Sequence, residues 1–139
     1  MLRIDAMPNY NNMAFKARFI KNEPLETALK NATEYDLLKF SKLLKNMERF
    51  DDGMTYQIYK RPKSFGSKDI QLELWSDNKA NTSGGLSDLC EYKPEEKAYK
   101  GIIKKVNNFL SSKYPEEEVT GVKRETSMRW INKELLHEV

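Results

Sequence analysis

The side chains best suited to chemistry near neutral pH are scarce in this sequence, which contains one histidine, His137, and one cysteine, Cys90. These residue types carry most general acid–base, nucleophilic and transition-metal work, so the commonest catalytic designs are largely closed to the chain. Cys90, next to Leu89, reads as a small buried apolar residue. His137 falls on a terminus expected to fray. The nearest approach to a metal-dependent hydrolase is Asp69 with Asp77-Asn78-Lys79. There the carboxylates would hold Mg²⁺ and the lysine would meet developing charge, but 77–79 reads as loop and gives that geometry little support. Asp51-Asp52 is better explained as a helix-ending turn and Glu116-Glu117-Glu118 as a solvated acidic connection. Gly84-Gly85 lacks the lysine of a phosphate-binding loop. No catalytic residue, metal or cofactor follows from the sequence.

Recognition chemistry is better represented. Lys60, Arg61, Lys63 and Lys68, interleaved with Tyr59 and Phe65, have the composition of a loop that contacts phosphates while an aromatic ring stacks on a base. The same composition also describes an ordinary solvated turn. Lys97, Lys100 and Lys104, with Lys93, align along the outer face of one expected helix, and Lys39, Lys42 and Arg49 do so on another. Side by side, the two faces would attract anions. Solubilising faces, with acids at the helix starts favouring the macrodipole, are the simpler reading. Tyr59 and Trp75 occupy strand faces that do not carry the main aliphatic set. Exposed, they would form a protein-binding hot spot; coverage by the last helix or the N-terminal arm is the expected outcome.

The scaffold for these residues is bounded by size and composition. At 139 residues, 39% hydrophobic and 32% charged, the chain fits a single globular domain over 1–139 with one core. A net charge of +3 does not mark a nucleic-acid binder, although the positive bias lies in the N-terminal half. No apolar run reaches the roughly 18 residues needed to span a bilayer, and Met1 to Ala6 has no secretory apolar region. A cytoplasmic protein without membrane contact is therefore expected, in agreement with a lone cysteine. Asn31-Ala32-Thr33 and Asn81-Thr82-Ser83 match the glycosylation pattern by chance on this reading. Ile4, Asn9-Tyr10-Asn11 and Phe15-Lys16-Ala17 resemble the start of uncharacterised small proteins encoded by gut bacteria. The resemblance is confined to the N-terminal segment and implies no activity.

Along the chain, 1–12 reads as an extended arm and Ala14 to Ile20 as a first strand. A short helical turn follows Pro24. Thr33 with Asp36 caps a longer helix in which Leu37, Phe40, Leu43, Leu44, Met47 and Phe50 share about 140° of the wheel. Met54, Tyr56 and Ile58, then Ile70, Leu72 and Leu74, alternate as the two strands of an antiparallel hairpin. Ser76 to Ser87 reads as a flexible connection, with a short strand within Leu86 to Tyr92. A second long helix opens at Glu95 and buries Ala98, Tyr99, Ile102, Ile103, Val106, Phe109 and Leu110, ending before Pro115. A last helix from about Glu125 turns Met128, Ile131 and Leu135 inward. The expected fold is α+β: a small antiparallel sheet of three to four strands, with two long helices and a C-terminal helix packed on one face. The expected function is a non-catalytic accessory or inhibitor protein that binds another protein. Nucleic-acid binding is the alternative and a metal-dependent hydrolase the third reading.

Overall fold

In the computed structural model, residues 16–78, 84–115, 128–129, 131–132 and 136–138 are described. The expected arm over 1–12, the beginning of the first strand at Ala14, Lys79, Glu116-Glu117-Glu118, the start of the last helix at Glu125, and Leu135 lie outside them. The elements run β1 (Arg18–Lys21), α1 (Glu23–Lys30), α2 (Glu34–Met47), β2 (Met54–Pro62), β3 (Asp69–Asn78), β4 (Gly84–Asp88), β5 (Lys93–Pro94), α3 (Glu95–Ala98), α4 (Ile102–Ser111) and β6 (Leu136–Glu138). Residues 128–129 and 131–132 are helical. The fold is α+β, and none of the described helices is long and apolar enough to cross a membrane.

Local chemistry sets the helix starts. The Asn22 side chain accepts from the Leu25 amide and that of Thr33 from the Asp36 amide, each satisfying a backbone donor left open in a first turn. α1 buries Leu25, Ala28 and Leu29, and α2 buries the expected stripe from Leu37 to Met47. The second long helix is divided. α3 ends at Ala98, and Gly101 adopts a left-handed φ of 73° before α4 begins, a conformation that a residue with a Cβ adopts at a cost. The apolar stripe survives the break, with Ala98, Tyr99, Ile102, Ile103, Val106 and Leu110 buried, while Phe109 is exposed.

The sheet has the order β4-β3-β2-β1-β6, with β5 beside β3. The hairpin β2–β3 pairs antiparallel from Met54↔Asn78 to Pro62↔Ile70, and β4 extends it antiparallel through Trp75↔Leu86. β1 instead pairs parallel with both β2 and β6, so the sheet is mixed rather than wholly antiparallel. The physical reason is the connection: α1 and α2 carry the chain from β1 back across the sheet, a crossover that delivers β2 in the same direction. His137 lies within β6, opposite Ile20 in the ladder. Between Ser76 and Ser87 two strand ends replace most of the expected loop. At Gly84 a Cβ would stand 2.6 Å from the Ser76 carbonyl oxygen, so only glycine permits that approach.

One core joins the layers. Phe19, Tyr56, Ile58, Leu72 and Leu74 from the sheet meet Leu25, Phe40, Met47, Ile103 and Val106 from the helices, with Ile131 also buried and Met128 packed against the cluster. Asn107 Nδ2 on α4 donates to the Asp36 carbonyl on α2 at 3.1 Å. At one end of the core, Tyr114 donates to Asp52 Oδ2 at 2.5 Å and its oxygen lies 2.9 Å from the Tyr56 hydroxyl. Since the Tyr114 proton is committed to Asp52, Tyr56 donates to Tyr114. Burial, and then the bond to Asp52, hold the Tyr114 phenol far above its ordinary range. Burial also raises that of Tyr56.

Candidate functional site

Period-two alternation sends one set of hairpin side chains into the core and the other to the opposite face. Gln57, Tyr59 and Arg61 on β2 share that second face with Gln71, Glu73 and Trp75 on β3 and Leu86 on β4. Tyr59 stands directly opposite Glu73, and Gln57 opposite Trp75, so Tyr59 and Trp75 are diagonal neighbours within reach of aromatic rings. They stack, with centroids 4.4 Å apart and planes 17° from parallel. Tyr59 is 38% exposed and Trp75 half-buried. The described part of the last helix leaves this pair partly open to water; the N-terminal arm, the other expected cover, lies outside the described residues.

Glu73 organises the pair. Its side chain is 4% exposed while that of Arg61 is 43% exposed. Arg61 Nε reaches both carboxylate oxygens, at 3.2 and 3.1 Å, and Trp75 Nε1 donates to Oε1 at 3.3 Å. A carboxylate taken out of water must have its lone pairs met, and here an arginine and an indole do so. The Arg61 guanidinium also lies 5.5 Å from the Tyr59 ring centroid, a cation–π distance. Its hydrogen bond to Glu73 raises its pKa further above its ordinary value, so it stays charged. Two rings and one cation are thus fixed at the surface by one buried acid.

The remaining expected site residues are dispersed. Lys60 and Arg61 belong to β2, not to the loop. Lys60 points to the other side of the strand and pairs with Glu95 at the start of α3, 3.4 Å away. Lys63 and Lys68 remain in the loop, exposed, with Phe65 fully exposed between them. Lys97, Lys100 and Lys104 are exposed, but the turn at Gly101 puts them on two helical pieces and the link between them, not on one helix face. Asp69 and Asp77 stand at opposite ends of β3. Eight residue steps of extended strand separate them by roughly 27 Å, too far to share an ion. Among the described residues no group of three histidine, cysteine or acidic side chains converges as a metal site.

Comparison with known proteins adds no relative. No family model, curated protein or solved structure matches the chain.

The residue sequence reasoning missed is Glu73. Its signal was present: an acid in the middle of the non-aliphatic face of a strand, two positions from Trp75. Its partner could not be read, because the pairing of Arg61 with the β3 face depends on a register set by the length of the intervening loop.

Proposed function

We propose that this is a non-catalytic protein-binding module acting in the cytoplasm, an accessory factor or inhibitor whose contact surface is the open sheet face around Tyr59, Arg61 and Trp75. The observation that carries this reading is the stacked Tyr59–Trp75 pair, held at the surface by the buried Glu73 carboxylate shared with Arg61. Tyrosine, tryptophan and arginine are the residue types most enriched at binding hot spots. Rings already fixed by their neighbours lose little side-chain freedom on binding. Affinity capture from the native cell tests it. A partner retained by the parent and by a Lys97→Ala/Lys100→Ala/Lys104→Ala variant, but lost from both Tyr59→Ala and Arg61→Ala, supports the face as the contact. A partner that all four retain assigns the contact elsewhere.

The second reading is nucleic-acid binding through the hairpin tip, favoured by Phe65 standing fully exposed between Lys63 and Lys68. Phosphate contacts release counterions, so labelled DNA or RNA should bind more weakly at about 200 than at about 50 mM salt, and Lys63→Ala/Lys68→Ala should flatten that slope. Absence of binding at the lower salt rules the tip out as a nucleic-acid contact.

A further inference from the structure

β4 is the terminal strand of the sheet on its side, and among the described residues its outer edge pairs with no other strand. Its ladder phase can be fixed. The Leu89 amide donates to the Leu72 carbonyl at 2.8 Å, and Leu72 and Leu89 continue the register Glu73↔Asp88. Leu72–Leu89 is therefore a hydrogen-bonded pair, and in an antiparallel ladder such pairs alternate with non-bonded ones. Leu74–Ser87 and Ser76–Gly85 are bonded, whereas Leu86 and Asp88 turn their own N–H and C=O groups away from β3. Leu86, which is 54% exposed, thus offers a main-chain donor and acceptor to the open edge.

Beside that edge, on the helix side, the small residues Gly85 and Ser87 leave a groove of about 370 Å³ whose walls include Met54, Leu74, Phe109 and Lys113. The far wall carries a pattern. Lys105, Phe109 and Lys113 recur four residues apart, so they lie along one side of α4 and the turn after it. Lys113 Nζ sits 5.9 Å from the Phe109 centroid, and Lys105 Nζ donates to the Leu89 carbonyl at the end of β4, 2.8 Å away. Phe109 and the Lys113 cation border the groove, Lys105 follows on the same side of α4, and among the described residues no carboxylate lines the groove. Asp88 is paired with Glu73 and so belongs to the opposite face.

We propose that the β4 edge and this groove bind an extended, acidic segment of a partner protein, which joins the sheet as a further strand. Main-chain bonds to Leu86 would set its register, as in other strand additions. Residues facing the groove would lay glutamate or aspartate stems on Phe109 and bring their carboxylates to Lys113. The alternate residues would be apolar and pack beside Leu86, which is paired with Trp75 across the ladder. A second copy of this chain fits less well. Self-pairing about Leu86 sets Gly85 against Ser87 of the other copy, leaves the groove unfilled, and turns two lysine-bearing walls toward each other.

The inference rests on the reading of the protein as a binding module but turns on the β4 edge and the groove rather than on Tyr59 and Arg61, so the two can fail separately. The probe is a fluorescein-labelled peptide of alternating glutamate and valine, titrated with the full chain and followed by anisotropy. Saturable binding is expected. Lys113→Glu should weaken it on the order of 5- to 10-fold, Leu86→Pro should abolish it, and Tyr59→Ala should leave it unchanged. Leu86→Pro removes an outward N–H without breaking a bond to β3, a position where proline is tolerated. If that variant fails to fold, the same peptide N-methylated at alternate residues tests the edge on the unaltered protein and should not bind. Three results overturn the proposal: no binding of the acidic peptide, equal binding of its lysine-for-glutamate counterpart, or equal binding of the N-methylated peptide. A dimer in sedimentation equilibrium that Leu86→Pro dissociates would overturn it as well, in favour of a second copy as the occupant.

Discussion

On the helix-covered side of the hairpin, Tyr56, Ile58, Leu72 and Leu74 are buried under α1, α2 and α4, and the one polar group among them donates a hydrogen bond to Tyr114, which donates in turn to Asp52. On the other side, Tyr59, Arg61 and Trp75 keep contact with water while the acid between them is buried. Both faces are rich in aromatic rings, and both include a hydrogen-bonded acid. They differ in what holds the rings. In the core, mutual burial fixes them and the polar chain is a condition of that burial. On the open face, a carboxylate and a guanidinium fix rings that burial alone would leave free to change rotamer. Order can thus be supplied without removing a surface from solvent, which is what a contact surface needs.

The sharpest way to break this contrast is to delete a ring from each face. Phe19 packs edge-on against Phe40 at 5.5 Å and is fully buried. Phe19→Ala is expected to lower unfolding free energy by about 3–5 kcal/mol in urea titrations. Tyr114→Phe keeps the ring and removes the donor to Asp52, and should cost about 1–2 kcal/mol, measured in the same way.

Alkaline titration examines the core phenols together. Tyr99 is pushed up to about 12 by burial and then by Glu95 nearby, and Tyr56 and Tyr114 are raised in the same direction. A phenol held above its unfolded value of 10.0 adds stability that is complete below that pH and is lost as pH rises from 10 toward 12. Circular dichroism should therefore show stability falling through that window, and Tyr99→Phe should make the fall shallower. A fall complete by pH 9 would refute this assignment.

The smallest effect belongs to the open face. Tyr59→Ala removes one cross-strand stack and should cost no more than about 1 kcal/mol, although it is expected to abolish partner capture. A loss comparable to that of Phe19→Ala would mean that the face is an extension of the core.

Much of the core was legible in the sequence, because burial imposes periodicity. The stripe from Leu37 to Met47, the Thr33 cap and the alternation in β2 and β3 each follow from local rules. What escaped depends on partners distant in sequence. Nothing near Arg18 to Lys21 announces that its neighbours are parallel, since strand direction is decided by the path of α1 and α2. The break at Gly101 was hidden because the apolar positions keep their helical spacing across it. In the candidate site, Tyr59 and Trp75 were identifiable by their face, but the separation of Lys60 from Arg61 onto opposite sides of β2 needed the strand to extend to Pro62. The apparent basic loop was two loop lysines beside two ion-paired strand residues.

The position of β1 has a consequence for how the chain acquires its structure. Phe19 pairs with Tyr56 on one side and with Leu136 on the other, so one edge of β1 waits for residues synthesised on the order of a hundred positions later. Until they emerge from the ribosome, the growing protein carries an unsatisfied strand edge beside the fully buried Phe19. Such an edge invites pairing with other chains and is a natural client for chaperones.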